Sequence, residues 1–198
     1  MRFDLTQNST LNETYKLMAQ TIIPRPIAWV VTEDNGIVNV APFSYFIGLS
    51  SDPASVLISV GHKADGTPKD TLYNIRKHQR CTICMVEEED LTPMHFSSKG
   101  LTHQESEAAY FNIETTPMKE GYPPAIASAP VAYFCHLKQE IDLGGGTTVP
   151  LVLGVDEIFV NDDVIVDKER LTIAFKPVAR IGKSYAFLGE EITPPAIP

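Results

Sequence analysis

Ile27-Ala28-Trp29-Val30-Val31-Thr32, then Glu33-Asp34-Asn35-Gly36, then Ile37-Val38-Asn39-Val40: this run decides the fold class. Its first six residues are apolar or β-branched, which suits a pleated, buried surface. Asn-Gly is the dipeptide that most readily takes two successive positive-φ positions, so it closes a short loop between two strands. Residues 27–40 are therefore expected to form a β-hairpin. Outward from it, residues 41–48 carry Phe43, Tyr45 and Phe46, and residues 55–61 read SVLISVG. Residues 81–86, 131–143 and 149–160 have the same character, the last two joined by a glycine turn at 144–148. Six or more strands with few helices point to a barrel or sandwich and away from alternating βαβ units. Closure into a barrel also removes exposed strand edges.

Between the strands lie a few helical signals. Leu11, Tyr15 and Met18 recur at helical spacing over residues 11–20, and Pro24-Arg25-Pro26 stops that helix. Thr67-Pro68-Lys69-Asp70 predicts a helix start, with Thr67 as N-cap and Pro68 at the first helical position. Residues 87–109 are acidic and polar and predict one or two short helices. Residues 115–130 are rich in proline and predict a long surface connection. A short element is expected within 164–175, and residues 191–198 (EITPPAIP) predict a proline-rich surface arm. No repeat or linker divides the chain, so residues 1–198 are expected to form one domain with an insertion near 87–130.

Composition narrows the function. The 198 residues carry a formal net charge of -9, which disfavours a broad grip on nucleic acid but leaves room for a local basic pocket. Three cysteines are an odd count for a disulfide framework. Neither a signal-peptide core nor a membrane-length apolar run is visible, so a reducing cytoplasm is the expected compartment. Cys81 and Cys84 lie three apart in a strand pattern and face opposite ways, which argues against one shared metal. Cys135-His136 has no second paired motif to complete a zinc site. The glycine triplet lacks the lysine of a P-loop, and neither GxGxxG nor GxSxG occurs. No metal site is expected.

Three segments carry binding potential. Arg25 sits between two prolines, so its side chain leaves a stiff backbone and suits an anion or a planar ring. Taken alone, the segment reads better as a plain strand entry with a core Trp29. Asn39 and Ser44 are polar residues in an apolar run, and Pro42 brings the chain to a turn or a sheet edge. At residues 67–71, free helix N–H groups, Lys69 and the Thr71 hydroxyl suit a phosphate, although such helix starts are common.

The order PRPIAWV, then NVAPFSYF, then a strand, a loop and KDT resembles the flavin reductase-like family of the FMN-binding split barrel, which includes flavoredoxin. The resemblance runs over about residues 15–185. It implies a mainly β fold, a six-stranded antiparallel Greek-key split barrel with peripheral helices. It also implies a homodimer with FMN at the interface. Carried over by residue, Arg25, Pro26, Ile27, Ala28 and Trp29 would contact the flavin and its ribityl chain. Asn39, Ala41, Pro42, Phe43 and Ser44 would serve the ring edge, ribityl and phosphate. Lys69, Asp70 and Thr71 would hold the phosphate end. Arg180-Ile181-Gly182-Lys183-Ser184-Tyr185 matches the family's Arg-x-Gly-Gly-aromatic ending only in part. The implied activity is an FMN-dependent oxidoreductase using NADH or NADPH and a small-molecule acceptor. An electron carrier or redox sensor without its own nicotinamide turnover is the alternative. No residue stands out as a general acid or base, and no membrane partner is implied.

Overall fold

Asn35 and Gly36 adopt φ of 51° and 80°, the pair of positive values that a two-residue hairpin loop demands. They join β2 (Ala28–Asp34) to β3 (Ile37–Phe43) in register, Ala28 opposite Phe43 and Asp34 opposite Ile37. The coordinates are a computed structural model describing residues 2–6 and 10–197. Helix α1 (Leu11–Thr21) leads into the two-residue strand β1 (Arg25–Pro26). After β3 come β4 (Phe46–Ser51), β5 (Ala54–Gly61), α2 (Asp70–His78) and β6 (Arg80–Cys84). The insertion holds α3 (Leu91–Phe96), α4 (Glu107–Tyr110) and the small ladder β7 (Thr115–Thr116) with β8 (Ala125–Ile126). Then follow β9 (Val131–Glu140), β10 (Thr148–Val160), the hairpin β11 (Ile165–Asp167) with β12 (Thr172–Ile173), and the hairpin β13 (Val178–Ile181) with β14 (Ser184–Phe187).

The main sheet is antiparallel, in the order β3-β2-β6-β9-β10-β5-β4. It has seven strands where six were expected. Its two outermost strands, β3 and β4, are consecutive in the chain and joined only by Ser44 and Tyr45. Flat, seven strands would separate those edges by about 29 Å. Three Cα steps from Phe43 to Phe46 reach at most about 11 Å. The sheet must therefore curl until its ends meet at Ser44–Tyr45. Among the described residues β3 and β4 are not paired with each other, so the barrel is split along that seam.

Alternation along β2 separates two cores. Ala28 and Val30 point into the barrel with Ile58, Val60, Leu151 and Leu153, and Leu72 and Ile75 of α2 plug one end. Trp29 and Val31 point outward and are covered by Met94, Ala108, Ile113, Ala125 and Ile126 of the insertion. Each fully buried Val, Leu, Ile or Met among them contributes about 1.5–3 kcal/mol. Cys81 packs inside the barrel and Cys84 outside it, as their spacing in a strand predicts.

Two expectations need correction. The N-cap of α2 is Lys69, not Thr67; the Thr67 hydroxyl is spent on Asp65 Oδ1 at 2.6 Å within the preceding turn. The proline-rich stretch is not a surface connection: Pro123, Pro124, Ala125, Ile126, Ala129 and Pro130 are buried. Prolines carry no N–H to leave unsatisfied, so their backbone can be buried at less cost. The helix expected over residues 11–20 is present as α1, and its Leu11, Tyr15 and Met18 face outward, 73%, 49% and 39% exposed. The C-terminal residues 191–197 are exposed and have no regular structure, as expected for an arm.

Candidate functional site

Where β3 runs along the barrel's split edge, the insertion lies against it and leaves a groove. The broad end, about 440 Å³, is lined by Asn39 and Ala41 of β3, Lys63, Lys69 and Asp70, the 97–101 turn, and Glu107. The narrow end, about 150 Å³, is lined by Ile27, Pro42, Phe43 and Ser44, by Met94 and His95 of α3, and by Arg180 and Tyr185 of the C-terminal hairpin. Ser98 lines both ends.

The broad end is locally basic despite the acidic chain. Lys63 pairs with Asp70 at 3.0 Å. Lys69 has no carboxylate partner among the described residues; its ammonium stands 5.9 Å from the centre of the Phe43 ring. Helix α2 starts beside it with no side-chain cap, leaving N–H donors at the positive end of the helix dipole. The loop after α3 is pinned by His103, whose Nδ1 lies 2.8 Å from Asp70 and whose Nε2 lies 3.4 Å from Asp34. Hydrogen bonds from Lys77 and His78 hold the Asp34 carboxyl down to about 2. Glu107 is different: burial pushes its carboxyl up to about 7. Its Oε2 accepts the Val40 N–H at 3.2 Å, covering a donor on the edge strand.

The structure sorts the sequence-derived candidates. Ile27, Asn39, Ala41, Pro42, Phe43, Ser44, Lys69 and Asp70 all line the groove. Ala28 and Trp29 have no accessible surface, so neither touches a ligand in this conformation. The Trp29 indole instead donates to Ser97 Oγ at 2.9 Å and anchors the groove's far wall. Thr71 is also buried; its hydroxyl accepts from Asn39 Nδ2 at 3.1 Å and does not reach the cavity. Arg25 is buried as well. Its Nη1 donates to the carbonyls of Ala19 and Ile22, closing the C-terminus of α1, and Nε reaches Ser44 Oγ at 3.4 Å. Pro26 is exposed and pairs opposite Ala179, so β1 fastens the C-terminal hairpin to the site.

Several groove residues had no motif to announce them. His95, Ser98 and Lys99 belong to the insertion, where the sequence shows only polar residues with scattered apolar ones. Lys63 lies in a loop two positions past a strand. Glu107 looks like an ordinary charge on a short helix until its burial is seen.

The family model described as "Flavin reductase like domain" matches residues 18–176. The chain belongs to the flavin reductase-like family. Among curated relatives, the uncharacterized protein YwrF of Bacillus subtilis is 35% identical over 189 residues, covering 91% of this chain and 92% of that one. Among solved structures, nitrilotriacetate monooxygenase component B from Bacillus cereus superposes with a TM-score of 0.89 at 27% identity, covering 98% of both chains. The 2-nitrobenzoate 2-nitroreductase NbaA of Pseudomonas fluorescens gives a TM-score of 0.88 at 27% identity, covering 100% of this chain and 96% of that one. Membership of the flavin reductase-like family makes the function flavin-related, and the split barrel agrees with it.

Proposed function

We propose that the groove holds FMN, with its phosphate at the broad end and its ring at the narrow end, and that the protein is an NAD(P)H-dependent oxidoreductase. The observation that carries this reading is Lys69, a cation without an ion partner among the described residues, beside the uncapped start of α2. Together they supply a full charge and oriented N–H donors to an anion. At the other end, Pro42 and Phe43, backed by the buried Ile27 and Met94, offer apolar surface for a flat ring, with polar atoms of Ser44, His95 and Tyr185 at its margin. The residues present therefore fit a flavin mononucleotide.

When bound, FMN supplies the hydride-accepting and electron-returning chemistry. The chain's own part is to hold the phosphate through Lys69, keep Asn39 and Ala41 at the groove floor, and position the ring against Pro42 and Phe43. Asp70 acts indirectly, since its carboxylate is engaged by Lys63 and His103. Arg25, Ala28, Trp29 and Thr71 support the walls rather than the ligand.

A homodimer belongs to the same proposal. Leu11, Tyr15 and Met18 along α1, Ile22 at its C-cap, and Ile47 and Leu49 on the outermost strand β4 expose apolar side chains. The Tyr15 and Tyr45 rings, 6.3 Å apart, join the helix to the start of that strand. A second copy would cover both surfaces, and Tyr15 would bring the interface to the narrow end of the groove.

The test is steady-state oxidation of NADH and NADPH by FMN-loaded protein with free flavin, oxygen and a nitroarene as acceptors. Turnover with one nicotinamide supports the enzyme. Negligible turnover with both, in a protein that binds FMN, would assign it to electron carriage instead.

A further inference from the structure

Tyr185 and His95 meet across 90 residues of chain at the narrow end of the groove. Tyr185 Oη and His95 Nδ1 are 2.8 Å apart, and the rings stand edge to face at 86°. The Arg180 guanidinium lies over the Tyr185 ring, 4.6 Å from its centre, while its Nε donates to Gly182 O at 3.1 Å. β13 carries Arg180 opposite Arg25 of β1, so the hairpin that presents Tyr185 is tied to the barrel entrance.

The geometry points to a ligand role for this pair. We propose that Tyr185 hydrogen-bonds the polar edge of the bound flavin ring, with His95 as the positioning residue that aims its hydroxyl. This rests on the reading that the groove holds FMN with its ring at the narrow end. A phenol has one donor and two acceptor sites. His95 uses one of these, and which one depends on its tautomer. If Nδ1 carries the proton, the tyrosine O–H remains free to donate; if it does not, the oxygen lone pairs remain free to accept. A flavin ring presents both carbonyl oxygens and an N–H, so it can meet either state. A purely structural role explains less. The bond lies at the exposed mouth of the groove, where a hydrogen bond contributes little net stability. Here two elements distant in sequence present polar atoms together at one end of the groove.

The experiment uses full-length protein loaded with FMN, comparing wild type with Tyr185→Phe, His95→Ala and His95→Asn. FMN affinity, the visible absorption of the bound flavin and its midpoint potential are read for each, with melting curves to confirm folding. Tyr185→Phe and His95→Ala are expected to weaken FMN binding by roughly 3- to 10-fold. They should shift the flavin bands and potential in the same direction. The effects of Tyr185→Phe combined with His95→Ala, made as a fourth variant, should be no larger than those of Tyr185→Phe alone. His95→Asn, which keeps a polar atom near the Nδ1 position, should restore the wild-type spectrum. A folded Tyr185→Phe protein with wild-type affinity, spectrum and potential overturns the inference while leaving FMN binding through Lys69 standing. A wild-type protein that takes up no FMN overturns both.

Discussion

The indole N–H of Trp29 donates to Ser97 Oγ at 2.9 Å, binding the outer face of the barrel to the loop that walls the groove. The two residues are 68 positions apart, and both are buried. Ser97 in turn donates to Met94 O at 2.8 Å, so one hydroxyl couples strand, helix and loop. Replacing Ser97 with Ala leaves a buried N–H without a partner. The expected cost is about 1–3 kcal/mol in urea unfolding. Unchanged stability would mean that the loop is held by apolar packing alone.

Arg25 carries a different load from the one its proline clamp suggests. Its guanidinium closes the end of α1 through the carbonyls of Ala19 and Ile22. Arg25→Met keeps much of the stem but removes those donors. It should cost about 1–3 kcal/mol and accelerate amide exchange over residues 11–21 more than elsewhere. Exchange rates like those of wild type in α1 would contradict the clamp.

Glu107 sets a pH dependence with a definite sign. Burial raises its folded-state pKa from 4.5 to about 7. Such a group contributes stability that is full below about 4.5 and is lost as pH rises through about 7. Glu107→Gln keeps an acceptor for the Val40 N–H and removes the charge. Its stability relative to wild type should therefore rise between about pH 5 and pH 8, by about 1–3 kcal/mol at the upper end. Parallel pH profiles for the two proteins would remove Glu107 as the cause.

The legible part of the fold was local. Asn35-Gly36 specifies its own backbone, so the hairpin and the alternation of Ala28, Trp29, Val30 and Val31 could be read directly from the chain. Pro42 was correctly placed at an edge, since β3 is an outermost strand. What escaped was long-range. Thr71 looked like a phosphate donor because its helix start resembles one, yet it is buried beneath Asn39, 32 residues away, whose Nδ2 donates to its hydroxyl. The proline-rich stretch looked exposed because prolines favour loops, while Pro123 O accepts from the Thr82 hydroxyl at 2.6 Å beneath the insertion. His95 and Tyr185 become neighbours only through tertiary packing, and no sequence spacing encodes that.

The exposed apolar side chains of α1 and β4 predict self-association. Met18→Glu combined with Ile47→Glu should shift the protein from dimer to monomer in sedimentation velocity, since charge on a buried apolar interface is costly. Retention of the dimer would move the interface elsewhere, and a monomeric wild type would remove it.

The central claim is that FMN binds in the groove with its phosphate at Lys69. Titrating cofactor-free protein with FMN, followed by quenching of flavin fluorescence, tests it most directly when wild type and Lys69→Ala are compared. The account predicts saturable binding by wild type. Lys69→Ala should bind with a loss of about 1.5–3 kcal/mol, roughly ten- to hundred-fold, and an unchanged melting temperature. Equal affinities for the two proteins, or no saturable binding by wild type, would contradict it.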